Sequence, residues 1–347
     1  MKAIDRSKPV FISGATGYVA GWIVKKLLEE GFTVHAAVRD PNNTNKLKEL
    51  NSIASDNPGS IKYFKSNLLE ANSYKDAMEG CELVFHTASP FKLKIKDAQK
   101  ELVDPALKGT ENLLKTVNET SSVKRVVLTS SVAAIYGDVS DSKLIPNGIF
   151  SEANWNTTSS LKNSPYSYSK TLAEKRAWEI EKEQSRWDLV VINPSFVMGP
   201  GISPSATSES FKFMKQMIDG STKMGVPSLE FGVVDVRDLA LAHFNAAFME
   251  NTKGRHIISA DSLSMLQIAK MIGDKFGNKF PVAKKELPKF LMYLTGPFIG
   301  FTFSWVKNNV GWHLKFDNSK SRNELKLNYR PLDETIIEFV EQISTRD

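Results

Sequence analysis

Short apolar runs recur along the first 194 residues, and longer stretches between them carry apolar residues at helical spacing. "PVFIS" (9–13) predicts a buried strand, and "YVAGWIVKKLLEEG" (18–31) a helix that stops at Gly31. "FTVHAAV" (32–38), "IKYFKSN" (61–67), "CELVFHTA" (81–88), "VKRVVLTSS" (123–131) and "WDLVVINP" (187–194) repeat the strand signature. Helical patterns lie between them, including 97–118 and 166–184. This alternation predicts an α/β fold with a doubly wound parallel sheet of Rossmann type, covered on both faces. After Pro194 the pattern breaks. Residues 195–210, rich in Ser, Gly and Pro, predict loop; 233–250 returns to strand then helix, and 255–260 to strand. Near the far end "FLMYLTGPFIGFTFSWV" (290–306) is uncharged but short for a membrane span, and Gly296, Pro297 and Gly300 interrupt it. It predicts a buried or pocket-covering segment, with one-sided membrane contact as the rival.

Composition narrows the class. Hydrophobic residues at 41% and charged residues at 24% exclude a disordered or fibrous chain. The net charge of +6 comes mostly from scattered lysines, which a solvated surface explains as well as an anionic ligand does. No dense basic run with interleaved aromatics points to nucleic acid. Cys81 is the single cysteine, so no internal disulfide can form, which fits a reducing, cytoplasmic compartment. The "MKAIDRSKPVFIS" start has no apolar signal core. The five histidines (35, 86, 243, 256 and 313) show no metal-ligand spacing, so no metal is expected, and His86 reads as a packed strand-end residue.

Chemistry enters with "SGATGYVAG", which joins the first strand to the first helix. Gly14 allows a tight turn, Gly17 lets backbone approach a pyrophosphate, and the helix N-terminus offers that anion N–H groups and positive dipole. Ala20 takes the place of a third glycine. The second strand ends "AAVRD". Arg39, with Lys46 behind it, suits a ribose 2′-phosphate and hence NADP(H); the competing reading leaves Arg39 in solvent and gives the ribose to Asp40. The expected division is therefore an NADP-binding domain over 1–194, with return segments near 233–260, and a smaller C-terminal substrate lobe from 195–232 and 261–347.

"SPYSYSK" (164–170) sets two tyrosines ahead of a lysine. On a helix Tyr166 and Lys170, four apart, share a face, whereas Tyr168 and Lys170 do not. Tyr166 is thus the proton-donor candidate, with the Lys170 ammonium expected to lower its pKa. "LTSS" closes the fifth strand, where such sheets place ligands. Ser131 is the choice to orient a substrate carbonyl; Ser130 and Thr129 compete with it.

Together these segments resemble the extended short-chain dehydrogenase/reductases, within them the dihydroflavonol 4-reductase-like branch of aldehyde, ketone and methylglyoxal reductases. The likeness runs through "AAVRDPNNTNKLKEL", "VFHTASP", "KRVVLTSSVAA", "YSYSKTLAEKRAW", "INPSFVMGP" and "VVDVRDLALAHF". The resemblance implies a Ser131, Tyr166, Lys170 triad and NADPH as hydride donor to a small-molecule carbonyl substrate. It places Gly14, Thr16, Gly17, Tyr18 and Val19 around the pyrophosphate, Arg39 and Lys46 at the 2′-phosphate, and Asn67 and Leu68 beside adenine. It also puts Thr87, Ala88 and Ser89 along the ribose and phosphates, with Pro194, Val197 and Ser210 near the nicotinamide. Asn67 stands where the branch usually has Asp, and "YSYSK" lacks the cinnamoyl-CoA reductase signature, which counts against CoA thioesters. The reading is an NADPH-dependent carbonyl reductase, monomer or homodimer. Its rivals are a membrane-associated hydroxysteroid dehydrogenase, favoured only by 290–306, a sugar-nucleotide epimerase, against which Arg39 counts, and a non-catalytic NADP sensor, which would not need the Tyr166/Lys170 pair.

Overall fold

The computed structural model of the protein describes residues 3–89, 96–203 and 208–345. In chain order the first half runs β1 (Val10–Ser13), α1 (Tyr18–Glu29), β2 (Thr33–Val38), α2 (Thr44–Ser55), β3 (Ser60–Lys65), α3 (Lys75–Met78), β4 (Leu83–His86), α4 (Asp104–Glu119), β5 (Arg125–Thr129), α5 (Pro165–Lys182) and β6 (Asp188–Pro194). The second half runs β7 (Phe196–Met198), α6 (Glu209–Ile218), β8 (Val226–Pro227), β9 (Glu230–Asp235), α7 (Val236–Phe248), β10 (Gly254–Ile258), β11 (Asp261–Ser264), α8 (Met265–Phe276), β12 (Glu286–Leu287), α9 (Lys289–Thr295), α10 (Phe303–Asn309), α11 (Ser319–Glu324) and α12 (Leu332–Ser344).

Seven strands form one sheet in the order β10-β6-β5-β4-β1-β2-β3, every neighbouring pair parallel. Successive residues of a strand point to opposite faces, and both faces are covered here. Ile12, Val34, Phe85, Val127 and Val190 meet Ile23 and Leu27 of α1 and Ala246 of α7. Phe11, Val84, Val126 and Val191 meet Leu113 of α4 and Ala177 of α5. Strand order reverses between β1 and β4, and a crevice for a ligand opens at such a switch point, beyond the carboxyl ends of the strands. The turns after β1, β4, β5 and β6 all converge there.

The segment 195–210 is not only loop, as its Ser, Gly and Pro content predicted. β7 lies inside it, parallel to β9, and β11 completes a second sheet of order β11-β9-β7. A three-residue strand carries no readable period, so its pairing came from β9. Met198, Val233, Phe211, Met214, Ile268 and Phe339 pack a separate core between this sheet and α6, α8 and α12. The uncharged 290–306 stretch also departs from expectation. Met292 and Val306 are buried and Trp305 faces the cavity described below, but Phe290, Leu294, Phe298 and Phe303 are exposed. Among the described residues no helix is long and apolar enough to cross a membrane.

Candidate active site

The turn after β1 is shaped by Gly14. Its φ of 66° is left-handed, and a Cβ there would sit 3.2 Å from Cα and Cβ of Ala88. No side chain other than hydrogen suits both demands. Gly17 is the residue before α1 and gives it no side-chain cap, so the first amides of the helix have no intrahelical partner. The partner loop is held by Ser13: its Oγ accepts from the Thr87 and Ala88 amides at 3.1 Å and pairs with His86 Nδ1 at 2.8 Å. Burial, then the nearby Lys170 charge, pulls His86 down to about 3, so it is neutral. His86 is the packed strand-end residue the sequence indicated. Ser13, a strand serine, gave no sequence signal.

Three consecutive hydroxyls end β5, and their partners separate them. Thr129 Oγ1 pairs with His243 Nε2 at 2.7 Å. Ser130 Oγ donates to the buried Glu174 carboxylate at 2.5 Å. Ser131 is left to hydrogen-bond Tyr166, while its Oγ accepts from Ala133 N at 3.1 Å. Proline at the first position starts α5, and Ser164 before it is left-handed, at φ 54° and ψ 58°. That turn sets the register in which Tyr166 and Lys170 both face the cavity; Tyr168 does not line it.

The Lys170 ammonium lies 6.0 Å from the centre of the Tyr166 ring. Burial pushes the Tyr166 phenol up to about 12, against the hydrogen bond with Ser131. Burial also pulls Lys170 down to about 8, with Glu174 opposing. The Tyr166 shift thus runs opposite to the expected lowering, because loss of hydration disfavours the phenolate. Between the two groups, Lys170 is the first to lose its proton as pH rises.

Gly14, Gly17, Tyr18, Val19, Thr87 and Ser89 open onto one cavity of about 900 Å³, near the upper end for small-molecule sites. Ser131, Tyr166, Lys170, Pro194, Val197 and Ser210 line the same space. Tyr18 points its ring away, packing on Phe211 and Phe339 and donating to the Gly199 carbonyl at 2.6 Å. Leu68 and Ala88 instead line a smaller cavity of about 20 Å³ beside Lys170. Thr16, Arg39, Lys46 and Asn67 are exposed and line neither. Arg39 and Asn67 nevertheless follow β2 and β3, on the sheet edge where Gly14 follows β1. Asp40 accepts from Asn42 N at 3.0 Å, and Asn67 Oδ1 accepts from Leu69 N at 3.1 Å. The far wall is aromatic: Phe196, Phe213 and Phe231 contact one another at 5.2–5.6 Å between centroids. Glu174, 1% exposed, is the main site residue that sequence reasoning missed. It lies four residues beyond Lys170, so the spacing that singled out Tyr166 could have found it.

This arrangement has relatives. Residues 10–258 match the model of the NAD dependent epimerase/dehydratase family, and the chain belongs to it. Within it the chain is an extended short-chain dehydrogenase/reductase of the dihydroflavonol 4-reductase-like branch. It is 40% identical over 261 residues to cinnamoyl-CoA reductase CAD2 of Medicago truncatula, covering 74% of this chain and 78% of that one. It is 36% identical over 282 residues to anthocyanidin reductase of Arabidopsis thaliana, covering 78% and 81%. Among solved structures it is similar to the yeast methylglyoxal/isovaleraldehyde reductase Gre2 complexed with NADPH. That match has a TM-score of 0.79 and 28% identity, and covers 97% of this chain and 98% of that one.

Proposed function

We propose that the protein is an NADPH-dependent reductase of an apolar or aromatic aldehyde or ketone. One observation carries the reading: Ser131, Tyr166 and Lys170 share a cavity with the glycine turn of α1 on one side and an aromatic wall on the other. The reductase names of the relatives and the NADPH-bound neighbour support it. The chain is accordingly a nicotinamide-dependent oxidoreductase. The residues present fit the cofactor: the Gly14 turn approaches Ala88 with no side chain between, the N-terminus of α1 has no side-chain cap, and among the described residues the exposed Arg39 guanidinium has no partner, which leaves it for a 2′-phosphate. Lys46, in the first turn of α2, would add a second positive charge. When bound, NADPH supplies the hydride.

The protein's residues do the rest. Ser131 orients the carbonyl oxygen and stabilises the negative charge that develops on it. Tyr166, protonated throughout the neutral range, carries the proton at Oη that this oxygen receives. Lys170 would hold the nicotinamide ribose, and it supplies positive charge beside the phenol. We assign 1–194 with the return segments near 233–260 to cofactor binding, and 195–232 with 261–347 to the substrate. A CoA thioester is a second reading, favoured by the names of relatives.

A panel of aldehydes, ketones, flavonoids and one aryl-CoA thioester, followed by loss of NADPH absorbance, tests the substrate class. Tyr166→Phe should lower turnover at least 10²-fold, with NADPH binding nearly intact, whereas Tyr168→Phe should keep most of it. An active Tyr166→Phe enzyme beside a dead Tyr168→Phe enzyme would overturn the mechanism.

A further inference from the structure

Lys170 is 9% exposed, and among the described residues its ammonium has no hydrogen-bond or ion-pair partner. A buried cation without a counter-charge is costly and tends to shed its proton. The charged or titratable groups around it are few. His86 of β4 shares the small cavity with Lys170 and is neutral. Tyr166 and Glu174 flank Lys170 on α5, one turn to either side. Arg255 of β10 reaches this group only through Glu174. Glu209, Lys212 and Glu230 line the larger cavity. Glu174 is thus the carboxylate that shares the small cavity with Lys170.

Its two oxygens are fully engaged. Oε2 accepts from Ser130 Oγ and, at 2.7 Å, from Asn193 Nδ2. Oε1 accepts from Arg255 Nε at 2.6 Å and from the Trp178 indole at 3.4 Å. The same Asn193 amide donates to the Ser131 carbonyl at 3.1 Å. Arg255 does not depend on Glu174 alone, since it also donates to the carbonyls of Ala134, Glu152 and Asn154 and stacks on Trp155 at 3.8 Å. These contacts fix the Glu174 carboxylate one helical turn from Lys170 and tie the backbone of Ser131 to it through Asn193.

We infer that Glu174 is a positioning residue for the reductase site proposed above, supplying the counter-charge that keeps the Lys170 ammonium protonated while fixing Ser131 through Asn193. The inference rests on that functional reading, but its central claim can be measured on the protein without cofactor.

The titration of Lys170 can be followed by NMR of ¹³Cε-labelled lysine, its signal assigned with Lys170→Arg. Glu174→Gln should move that titration down by about one pH unit. Ser130→Ala removes a donor to the same carboxylate without changing charge, and should leave the titration in place. Glu174→Gln strands the Arg255 cation and can cost folding. The double variant Glu174→Met with Arg255→Met removes the pair without stranding Arg255, and should also lower the titration. An unchanged Lys170 titration in a folded Glu174 variant overturns the proposal. Failure of both variants to fold assigns Glu174 to the fold alone and overturns it too. Fluorescence titration of NADPH is the second readout. In the wild type, affinity should fall as Lys170 titrates, and in the Glu174 variants that fall should begin at lower pH. Absence of NADPH binding to the wild type would sink the reductase reading, while the Lys170 titration would still decide the role of Glu174.

Discussion

Thr129, Ser130 and Ser131 are equivalent as letters and differ only in what each hydroxyl meets. Thr129 supports His243, Ser130 supports Glu174, and Ser131 faces Tyr166. Ser131→Ala should therefore lower kcat/KM for the carbonyl substrate about 10²–10³-fold while NADPH affinity changes little. Steady-state kinetics beside a cofactor titration would show it, and an equal loss in both would reassign Ser131 to cofactor binding. The Arg39 and Asp40 alternative also turns on partners. Asp40 already accepts from the Asn42 amide, and Arg39 projects into solvent at the end of β2. Arg39→Ala should raise KM for NADPH about ten- to a hundredfold and leave KM for NADH nearly unchanged. A wild-type preference for NADH would remove the basis for this assignment.

At the scale of elements, α5 presents Tyr166, Lys170 and Glu174 at four-residue steps, a spacing that stacks side chains on one helical face. The segment over the cavity is fastened by a different device. Asp138, 3% exposed, accepts from Asn309 Nδ2 at 2.7 Å, Asn308 Nδ2 at 3.0 Å and Asn163 Nδ2 at 3.3 Å. Asn309 returns a bond by accepting from Val139 N at 3.1 Å. One carboxylate thereby joins the loop after Ser131, the entry to α5, and α10, whose Trp305 lines the cavity. Asp138→Ala leaves these amides without their acceptor, at a cost of about 1–3 kcal/mol. It should raise KM for the carbonyl substrate about tenfold, with little change in KM for NADPH, and speed tryptic cleavage after Lys307. Unchanged proteolysis together with unchanged KM would show that α10 is held by packing alone.

At the scale of the whole molecule, three of the described histidines are buried, and two of them, His86 and His243, sit without a carboxylate partner among the described residues, whereas His256 pairs with Glu324. Burial pulls His86 down to about 3 and His243 down to about 4, from an ordinary value of 6.5. A base whose folded pKa is depressed contributes stability that is present above its unfolded pKa and lost as pH falls toward the folded value. Between roughly pH 6 and 4 these two residues take up two protons in the unfolded chain that the folded protein refuses. Stability should then fall with a limiting slope of about 2–3 kcal/mol per pH unit. Urea midpoints at pH 7, 6 and 5 would measure it, and a flat profile would show that these histidines titrate alike in both states.

Much of this protein was legible without a structure. The strand and helix periods, the Gly14 turn, and the shared face of Tyr166 and Lys170 are local, set by backbone sterics and helical geometry within a few residues. Hydrophobic alternation likewise announced a parallel sheet, because strands buried on both faces must be apolar throughout. Other features depended on residues far apart in the chain. β7 exists because β9 pairs with it, 37 residues on. The choice of Ser131 over its neighbours needed His243, 114 residues away from Thr129, and Glu174, 44 away from Ser130. The direction of the Tyr166 shift needed its burial, which no spacing reports, since desolvation depends on everything packed around the phenol. Sequence by itself determined which residues could do chemistry and the faces they would share. Tertiary structure decided which were free to do it, because a hydroxyl or a charge is defined by the partners that folding brings to it.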